Sequence, residues 1–268
     1  MFAEERKLKI FEFLTEHKKA TVAELVSYFA VSNTTIRNDL RDMEKDRLLI
    51  RTHGGAMLRT RTGYEPDTYE NQIKNVEEKK RIALAALDLI DDGDTIILDT
   101  GTTTMELALV LASKKNLRVI TNDLLIALLL EDNTNILDIL FIGGVVRKNF
   151  HCTLKYRNAT AEMLTGLTVD KAFITANGFS YEKAVTTPDI ALAEVKTLLM
   201  SVASTVVVLC DSSKLGNNYF IQLARLDQID KFITDKMDPK EKERLEEKDI
   251  DVIIAPPYAD QIGAASQS

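Results

Sequence analysis

The chain has little of the residue types that build cross-linked or metal-dependent sites. Its 268 residues include two cysteines, three histidines and no tryptophan. Cys152 and Cys210 are too few and too isolated for a disulfide framework or a zinc site, and the histidines show no ligand spacing. Cys210 ends the apolar run 206–209, so we predict a buried, inert thiol. We therefore predict that the protein has no metal site and no cofactor.

Long apolar runs and a leader segment are also absent. No run approaches the roughly 18 apolar residues that cross a membrane, and charge begins at Glu4, unlike a signal peptide. We therefore predict a cytoplasmic protein without a membrane partner. The net charge of −7 is unevenly distributed: residues 1–61 carry 12 Lys and Arg against 9 Asp and Glu, and the remainder carries 22 against 32. A mildly basic N-terminal segment on an acidic body predicts a localised DNA-contact surface.

Residues 32–45 have the pattern of an amphipathic helix. Ile36, Leu40 and Met43 fall on one face at helical spacing, and Ser32 is placed to cap the N-terminus. The opposite face and the first turn carry side chains of the kinds that contact base edges and phosphates: Ser32, Thr34, Thr35, Arg37, Asn38, Arg41 and Lys45. Taken alone, the same pattern also describes a solvated surface helix.

The surrounding sequence favours DNA binding. Residues 4–17 form an apolar-faced helix, and Thr21 with Glu24 makes a capping box that opens a second helix. After the amphipathic helix, two predicted strands at 48–52 and 57–61 flank a Gly-Gly turn signal. Arg51 on the first strand and His53 and Gly54 in the turn are further predicted DNA-contact residues. Three helices followed by a basic hairpin predict a winged helix-turn-helix DNA-binding domain over residues 1–60.

Two stretches of this domain resemble a known family. The motif Thr35-Ile36-Arg37-Asn38-Asp39-Leu40, followed by residues 48–56 ending in His53-Gly54-Gly55-Ala56, resembles the DeoR-type bacterial repressors. Members of that family commonly have a second arginine where this chain has Asn38. The resemblance implies a transcriptional regulator that binds double-stranded operator DNA.

The rest of the chain alternates short apolar strands with helices. Residues 61–76, with Gly63 and Pro66, are the predicted linker. Residues 77–258 are the predicted second domain, and residues 259–268 are a predicted flexible tail. Strands are predicted at 95–98, 117–120, 137–142, 171–175, 205–210, 231–234 and 251–254. The predicted fold class is α/β: an N-terminal winged helix-turn-helix joined to a larger α/β domain with a mostly parallel sheet.

Polar side chains follow most of these strands. In a parallel sheet the loops after the strands share one edge, where open α/β folds bind ligands. The candidate ligand-binding residues in these loops and on one later helix are Asp99, Thr100, Gly101, Thr102, Thr103, Thr104, Asp123, Gly143, Gly144, Asn177, Gly178, Lys196, Asp211 and Lys214. We identify no catalytic residue among them.

The Thr-Gly-Thr-Thr-Thr turn at 100–104 is the sharpest signal. A helix N-terminus with a glycine and hydroxyls can hold a phosphate, and the nucleotide motifs GxxxxGK[ST] and GxGxxG are missing. The alternative is a threonine-rich cap that serves only the helix. Lys214 or Lys196 would balance the phosphate charge, and Lys214 is favoured because it is predicted to lie on the ligand-binding edge beside Asp211; the alternative is a solvated lysine.

The second domain also resembles the DeoR-type family. Thr186-Thr187-Pro188 with Glu194-Val195-Lys196, and Asp211-Ser212-Ser213-Lys214, match motifs of its sensor domain. The resemblance covers residues 3 to about 235 and is weakest at 149–161, a candidate segment for effector selectivity. It implies a fold like ribose-5-phosphate isomerase and a sugar-phosphate effector.

The resulting prediction is a repressor of a sugar-metabolism operon controlled by a phosphorylated sugar. An activator would use the same parts. A sugar-phosphate isomerase is the rival from another class, since Asp99, Asp123, Asp211 and Lys196 are groups that such chemistry uses. One winged helix reads too little sequence for a genomic search, so we expect a homodimer or homotetramer.

Overall fold

The computed structural model describes residues 3–17, 19–45, 48–52, 54–58, 65, 68–154 and 157–257. The chain divides into two compact units, Met1–Pro66 and Asp67–Ser268, and each is described by itself. His53, most of the N-terminal half of the predicted linker and the predicted tail 259–268 lie outside the described residues. Within the predicted linker, residues 68–72 form a short helix that belongs to the second unit.

In its described residues, the N-terminal unit has three helices and a small sheet. Its elements are α1 (Ala3–His17), β1 (Lys19–Thr21), α2 (Val22–Phe29), α3 (Asn33–Lys45), β2 (Leu49–Thr52) and β3 (Gly55–Leu58). The core comes from one face of each helix, with Leu14, Leu25, Ile36, Leu40 and Met43 all buried. This is the winged helix-turn-helix arrangement that the sequence predicts.

Both predicted helix caps of this unit are confirmed. The Thr21 hydroxyl accepts from the Glu24 N–H at 3.2 Å, and the Glu24 carboxylate accepts from the Thr21 N–H at 2.7 Å. Ser32 Oγ accepts from the Thr35 N–H at 3.1 Å. Each cap satisfies an N–H that the first helical turn would otherwise leave unpaired.

The hairpin of β2 and β3, which is the wing of this domain, differs from the sequence prediction. Its second strand begins at Gly55 instead of Met57, because Gly55 pairs with Thr52, and the preceding Gly54 has φ of +87°. Gly55 therefore lies in the sheet, where a Cβ would overlap the carbonyl oxygen of Ala20 on β1. Strand β1 was not predicted; it is three residues long and is held by its pairing with β3.

The C-terminal unit is built from alternating helices and strands. In chain order it contains α4 (Thr68–Gln72), α5 (Val76–Leu87), β4 (Thr95–Leu98), α6 (Thr102–Val110), β5 (Leu117–Thr121), α7 (Leu124–Glu131), β6 (Ile136–Phe141), β7 (Val145–Arg147), β8 (Cys152–Leu154), α8 (Arg157–Leu164), β9 (Val169–Thr175), β10 (Gly178–Ser180), β11 (Ala184–Thr187), α9 (Ile190–Ser201), β12 (Ala203–Leu209), β13 (Ile221–Ala224), β14 (Lys231–Thr234), α10 (Pro239–Glu246) and β15 (Asp251–Ile254). All seven predicted strands are present.

Seven of these strands form a parallel sheet in the order β15-β14-β12-β9-β4-β5-β6. Alternate residues of each strand enter two cores: Ile96 and Leu98 pack with α5, α6 and α7, while Ile97 packs on the opposite face with α9. The sheet is thus covered on both faces, as its near-continuous apolar strands require. Among the described residues, no helix combines the length and apolar composition that a bilayer crossing needs.

Two antiparallel additions were not predicted. Strands β10, β11 and β13 form a three-stranded sheet, and β7 with β8 forms a hairpin between β6 and α8. Strand β8 lies along the chain that follows β5, since the Thr153 N–H donates to Asn122 O at 2.9 Å and the Leu124 N–H donates to His151 O at 2.8 Å. The hairpin therefore lies at the carboxyl ends of the parallel strands.

Candidate functional site

Helix α3 separates its packing residues from its exposed ones. Ile36, Leu40 and Met43 are buried, whereas Thr34, Arg37, Asn38, Arg41 and Lys45 are exposed. Asp39 is the exception on this helix: it is buried and accepts from Arg6 of α1, with Arg6 Nε 2.6 Å from Asp39 Oδ2. The helix is anchored by an ion pair and presents a polar face to solvent.

Three of the predicted DNA-contact residues, Arg37, Lys45 and Arg51, each contact a neighbouring side chain. Arg37 Nε donates to Asn33 Oδ1 at 2.6 Å, which leaves its two terminal nitrogens available for other acceptors. Lys45 and Arg51 form long ion pairs of 3.8 Å with Asp42 and Glu44. Such exposed pairs contribute little to stability and exchange readily for phosphate. Gly54 is exposed at the wing turn.

The turn after β4 opens α6 without a side-chain cap. Gly101 is the N-cap residue, and within the described part of the chain no side chain accepts from the first-turn N–H groups. By contrast, α7 and α9 are capped by Asp123 and Asp189. Strand β4 pairs along one edge with β5, the next strand in the chain, and along its other edge with β9. The turn after β4 therefore lies where the strand order reverses. That position is where open α/β sheets bind ligands.

Asp99 and Lys196 form a buried ion pair beneath the turn. Lys196 Nζ donates to Asp99 Oδ2, and also to the carbonyl and hydroxyl oxygens of Thr175, each at 2.9 Å. Asp99 Oδ2 further accepts from the Thr175 N–H and hydroxyl, each at 3.1 Å. Asp99 Oδ1 is buried and has no hydrogen-bond partner among the described residues. The lysine charge is therefore balanced inside the protein.

The threonines of the turn have different environments. The Thr100 hydroxyl donates to Asp123 at 2.8 Å, and the buried Thr104 hydroxyl donates to the carbonyls of Asp99 and Gly101. Thr104 therefore has no free hydroxyl to offer a ligand. Thr103 is also buried, and Thr102 is half-buried. A Cβ on Gly101 would lie 2.7 Å from Cγ2 and Oγ1 of Thr175, so glycine is required for this close approach.

Asp123 lies beside the turn. Its Oδ1 accepts from the N–H groups of Leu125 and Ile126 at the start of α7, and its Oδ2 accepts from Thr100. Burial raises the pKa of this carboxyl, and the hydrogen bonds oppose that increase. Asp123 therefore joins the end of β5 to the turn after β4.

The β7–β8 hairpin adds a cation that the site prediction omitted. Arg147 is opposite Cys152 in the hairpin, lies 4.0 Å from the Phe150 ring centroid, and is 3.6 Å from Asp189. Burial raises the pKa of the Cys152 thiol to about 11, while the charge of Arg147 and a hydrogen bond with Thr100 oppose the rise. Cys152 pairs with Asp123, whose carboxylate accepts from Thr100, so the hairpin lies beside the turn after β4.

The loop after β12 is tied to the start of α5. Asp211 is buried, and its Oδ1 accepts from Asn75 Nδ2 at 2.8 Å and from Ser213. Lys214 is half-buried, and its ammonium makes no hydrogen bond or ion pair with the described residues. Nearby Lys79 is buried and donates to the carbonyls of Asn71 and Lys74, and burial lowers its pKa to about 8. Neither Asn75 nor Lys79 was predicted.

The other predicted ligand residues are more dispersed. Asn177 follows β9 and accepts from the Thr187 hydroxyl at 2.9 Å. Gly178 begins β10, and a Cβ there would lie 2.5 Å from Asn217 O, so its backbone is tightly enclosed. Gly143 and Gly144 follow β6, and Gly144 is exposed. The structure thus brings Asp99–Thr104, Asp123 and Lys196 together, with Asp211 and Lys214 at the end of β12.

Comparisons with known proteins agree with this two-unit organisation. Residues 6–62 match the DeoR-like helix-turn-helix domain family, and residues 74–236 match the DeoR C terminal sensor domain family. The chain is 33% identical over 255 residues to the HTH-type transcriptional regulator GlpR of Haloferax volcanii, covering 94% of this chain and 98% of that protein. It is 37% identical over 238 residues to the HTH-type transcriptional repressor GlcR of Bacillus subtilis, covering 88% and 90%.

A solved structure is also similar in part. Ribose 5-phosphate isomerase A from Methanocaldococcus jannaschii matches 53% of this chain and 55% of its own, with 19% identity and a TM-score of 0.38, which is too low to assign a fold. The family matches cover both units and more than half of the chain. From these matches and its relatives along nearly its whole length, the chain belongs to the DeoR family of transcriptional regulators.

Proposed function

We propose that this protein represses a sugar-metabolism operon and that a phosphorylated sugar controls its affinity for operator DNA. The uncapped N-terminus of α6 at the reversal of strand order carries the effector assignment, because unpaired N–H groups and the helix dipole attract a phosphate. The buried, unpartnered Asp99 Oδ1 supplies an acceptor for a sugar hydroxyl. A relative named as a transcriptional repressor supports the regulatory role.

The isomerase alternative is disfavoured by the same geometry. An isomerase needs a carboxylate that takes a proton from the substrate carbon. Asp99 Oδ2 accepts hydrogen bonds from Thr175 and Lys196, and both oxygens of Asp123 accept hydrogen bonds within the fold. These contacts hold Asp123 as a framework group and tie Asp99 to Lys196, which supports our proposal that the effector is bound and not turned over.

The effector proposal is tested with a panel of sugar phosphates. An operator selected from random DNA is titrated with the full-length protein, with and without each compound, and melting is followed in parallel. A ligand at 100 times its dissociation constant stabilises the folded state by about 2.7 kcal/mol. The unphosphorylated sugars are the controls, since they lack the charge-assisted bonds. Finding no compound that shifts both melting and operator binding would contradict the proposal.

The route from this site to the DNA-binding unit begins in the C-terminal unit itself. Asn75 Nδ2 donates to Asp211 Oδ1 and to Ser213 Oγ, and the Thr68 N–H donates to Asn149 O in the loop between β7 and β8. The segment 68–75 is thus bonded to two loops at the ligand edge. We propose that the effector changes these bonds, with a coupling of typically 1–3 kcal/mol.

DNA recognition by α3 gives a first prediction. Replacing Arg37 or Arg41 by alanine should weaken operator binding and reduce the salt-dependence slope by about one unit for each lost phosphate contact. Asn38→Ala should instead alter sequence preference by roughly 1–3 kcal/mol, because an amide pairs with adenine in the major groove. Fluorescence anisotropy over a salt series measures both effects. The exposed Arg118→Ala in the C-terminal unit is the control, and wild-type binding by all three α3 variants would refute the assignment.

Assembly gives a second prediction. We propose a dimer or higher oligomer with its contacts in residues 77–268, since two half-sites are needed for operator specificity. Strand β6 is an edge of the sheet and exposes Leu137 and Leu140. We expect Leu137→Glu to produce monomers in sedimentation experiments, because a charge on this apolar edge opposes pairing with a second copy. Phe220→Glu, at another exposed apolar position, should leave assembly unchanged, and an unaltered Leu137→Glu oligomer would place the interface elsewhere.

A further inference from the structure

The charge balance at the predicted phosphate site is unfavourable without an additional cation. Lys196 is neutralised by Asp99, and Asp123 adds a second carboxylate beside the turn. A phosphate dianion placed at the N-terminus of α6 would therefore face one uncompensated carboxylate. Helix N-terminal N–H groups contribute only about half a charge. The site needs a further positive group within reach of the turn.

Arg147 is the side chain whose position meets this need. Directly opposite residues of an antiparallel pair project to the same face, and Arg147 is opposite Cys152. Cys152 is buried and pairs with Asp123, whose carboxylate accepts from the Thr100 hydroxyl, so the hairpin lies beside the Thr-Gly-Thr-Thr-Thr turn. The guanidinium retains 18% side-chain exposure and lies against the Phe150 ring.

The ion pair between Arg147 and Asp189 is exchangeable. Its Nη2 is 3.6 Å from Asp189 Oδ2, longer than a charge-assisted hydrogen bond. Asp189 Oδ1 has a separate role, since it accepts from the Leu192 N–H at 2.8 Å and caps α9. A phosphate offers the planar guanidinium a better bidentate partner than this distant carboxylate. Releasing Asp189 would leave the cap of α9 intact.

We propose that Arg147 binds the effector's phosphate together with the N-terminus of α6, and that it exchanges Asp189 for the phosphate when the effector enters. The proposal rests on the proposed function, because it names the residue that makes the effector site select phosphorylated sugars. It assigns the β7–β8 hairpin to the effector site and replaces Lys214 and Lys196 as the source of the balancing charge.

The test compares substitutions that should weaken phosphate binding with one that should strengthen it. In full-length protein, inorganic phosphate and the sugar phosphates of the panel are titrated by calorimetry. Arg147→Met should weaken both by about 10- to 100-fold, because a charge-assisted pair is lost, and Arg147→Lys should be intermediate because it keeps the charge without the fork. Asp189→Asn should strengthen binding several-fold, since asparagine keeps the helix cap and removes the competing carboxylate. Arg118→Met is the matched surface control and should bind as the wild type does.

The outcomes separate this proposal from the proposed function. If Arg147→Met and Asp189→Asn both weaken phosphate binding, the pair is structural and the proposal is overturned. Wild-type affinity in Arg147→Met overturns it as well, while leaving the effector assignment in place. If the wild-type protein binds neither phosphate nor any sugar phosphate, the proposed function fails and this proposal fails with it. Melting curves of each variant show that a weaker affinity does not reflect unfolding.

Discussion

Replacing Lys196 by methionine is expected to lower the free energy of unfolding by about 3–5 kcal/mol, because it leaves a buried carboxylate unpaired. Lys196 is 2% exposed and Asp99 is 0% exposed, so neither charge can be solvated in place. The loss also removes the donor that Thr175 O accepts from at 2.9 Å. Urea unfolding followed by circular dichroism measures the change. This is the largest stability effect that we expect from a single substitution.

The partner substitution makes the prediction specific. Asp99→Asn combined with Lys196→Met removes both charges, and the double variant should recover much of the lost stability, as coupled residues do in a mutant cycle. The exposed Lys183→Met is the control and should unfold within about 0.5 kcal/mol of wild type. If Lys196→Met alone unfolds like wild type, the buried ion pair does not hold the site together.

Gly101→Val should abolish the response to the effector. A valine fills the space over the first turn of α6, and its Cβ alone would lie 2.7 Å from Thr175. The effector-dependent stabilisation of about 2.7 kcal/mol at 100 times the dissociation constant should disappear. Overpacking of the valine against Thr175 should also lower the free energy of unfolding by about 1–3 kcal/mol. Operator binding without effector should persist, because residues 1–58 are unchanged.

Anisotropy titrations of operator, with and without sugar phosphate, measure this response. The control is Ala112→Val, which adds similar volume at an exposed position after the same helix and should respond normally. A Gly101→Val protein that still releases DNA in the presence of sugar phosphate would move the effector site away from α6. Loss of operator binding by a Gly101→Val protein that is still folded at the assay temperature would also contradict the prediction, since it would couple the turn to DNA recognition without ligand.

The elements with strong periodicity were predictable from sequence. The apolar runs at 95–98 and 231–234 become strands with those same bounds, and Ser32 caps α3 as its position predicted. Each of these signals is local, because a capping hydroxyl or a buried strand depends on neighbours within a few residues. The parallel sheet followed from them, since apolar strands separated by helices must bury both faces.

The antiparallel additions were not predictable by the same reasoning. Strand β1 has three residues and is defined by its pairing with β3, far away in sequence. Gly55 was assigned to a turn because Gly-Gly commonly forms one, but a close approach to Ala20 requires glycine in the strand itself. Arg147, Asn75 and Lys79 were missed for the same reason. Their partners Asp189, Asp211 and Asn71 are identified only by the folded chain.

The Arg6–Asp39 pair has a consequence for how this regulator can change over evolution. The pair holds α3 in position through Asp39, which faces inward. Thr34, Asn38 and Arg41 face solvent and do not contribute to that position. Substitutions at the three outward positions therefore leave the framework intact, at a cost that surface changes rarely raise above about 0.5 kcal/mol. A gene duplicate can acquire a new target sequence by such changes while it keeps its fold, so one scaffold can diversify into regulators of many different promoters.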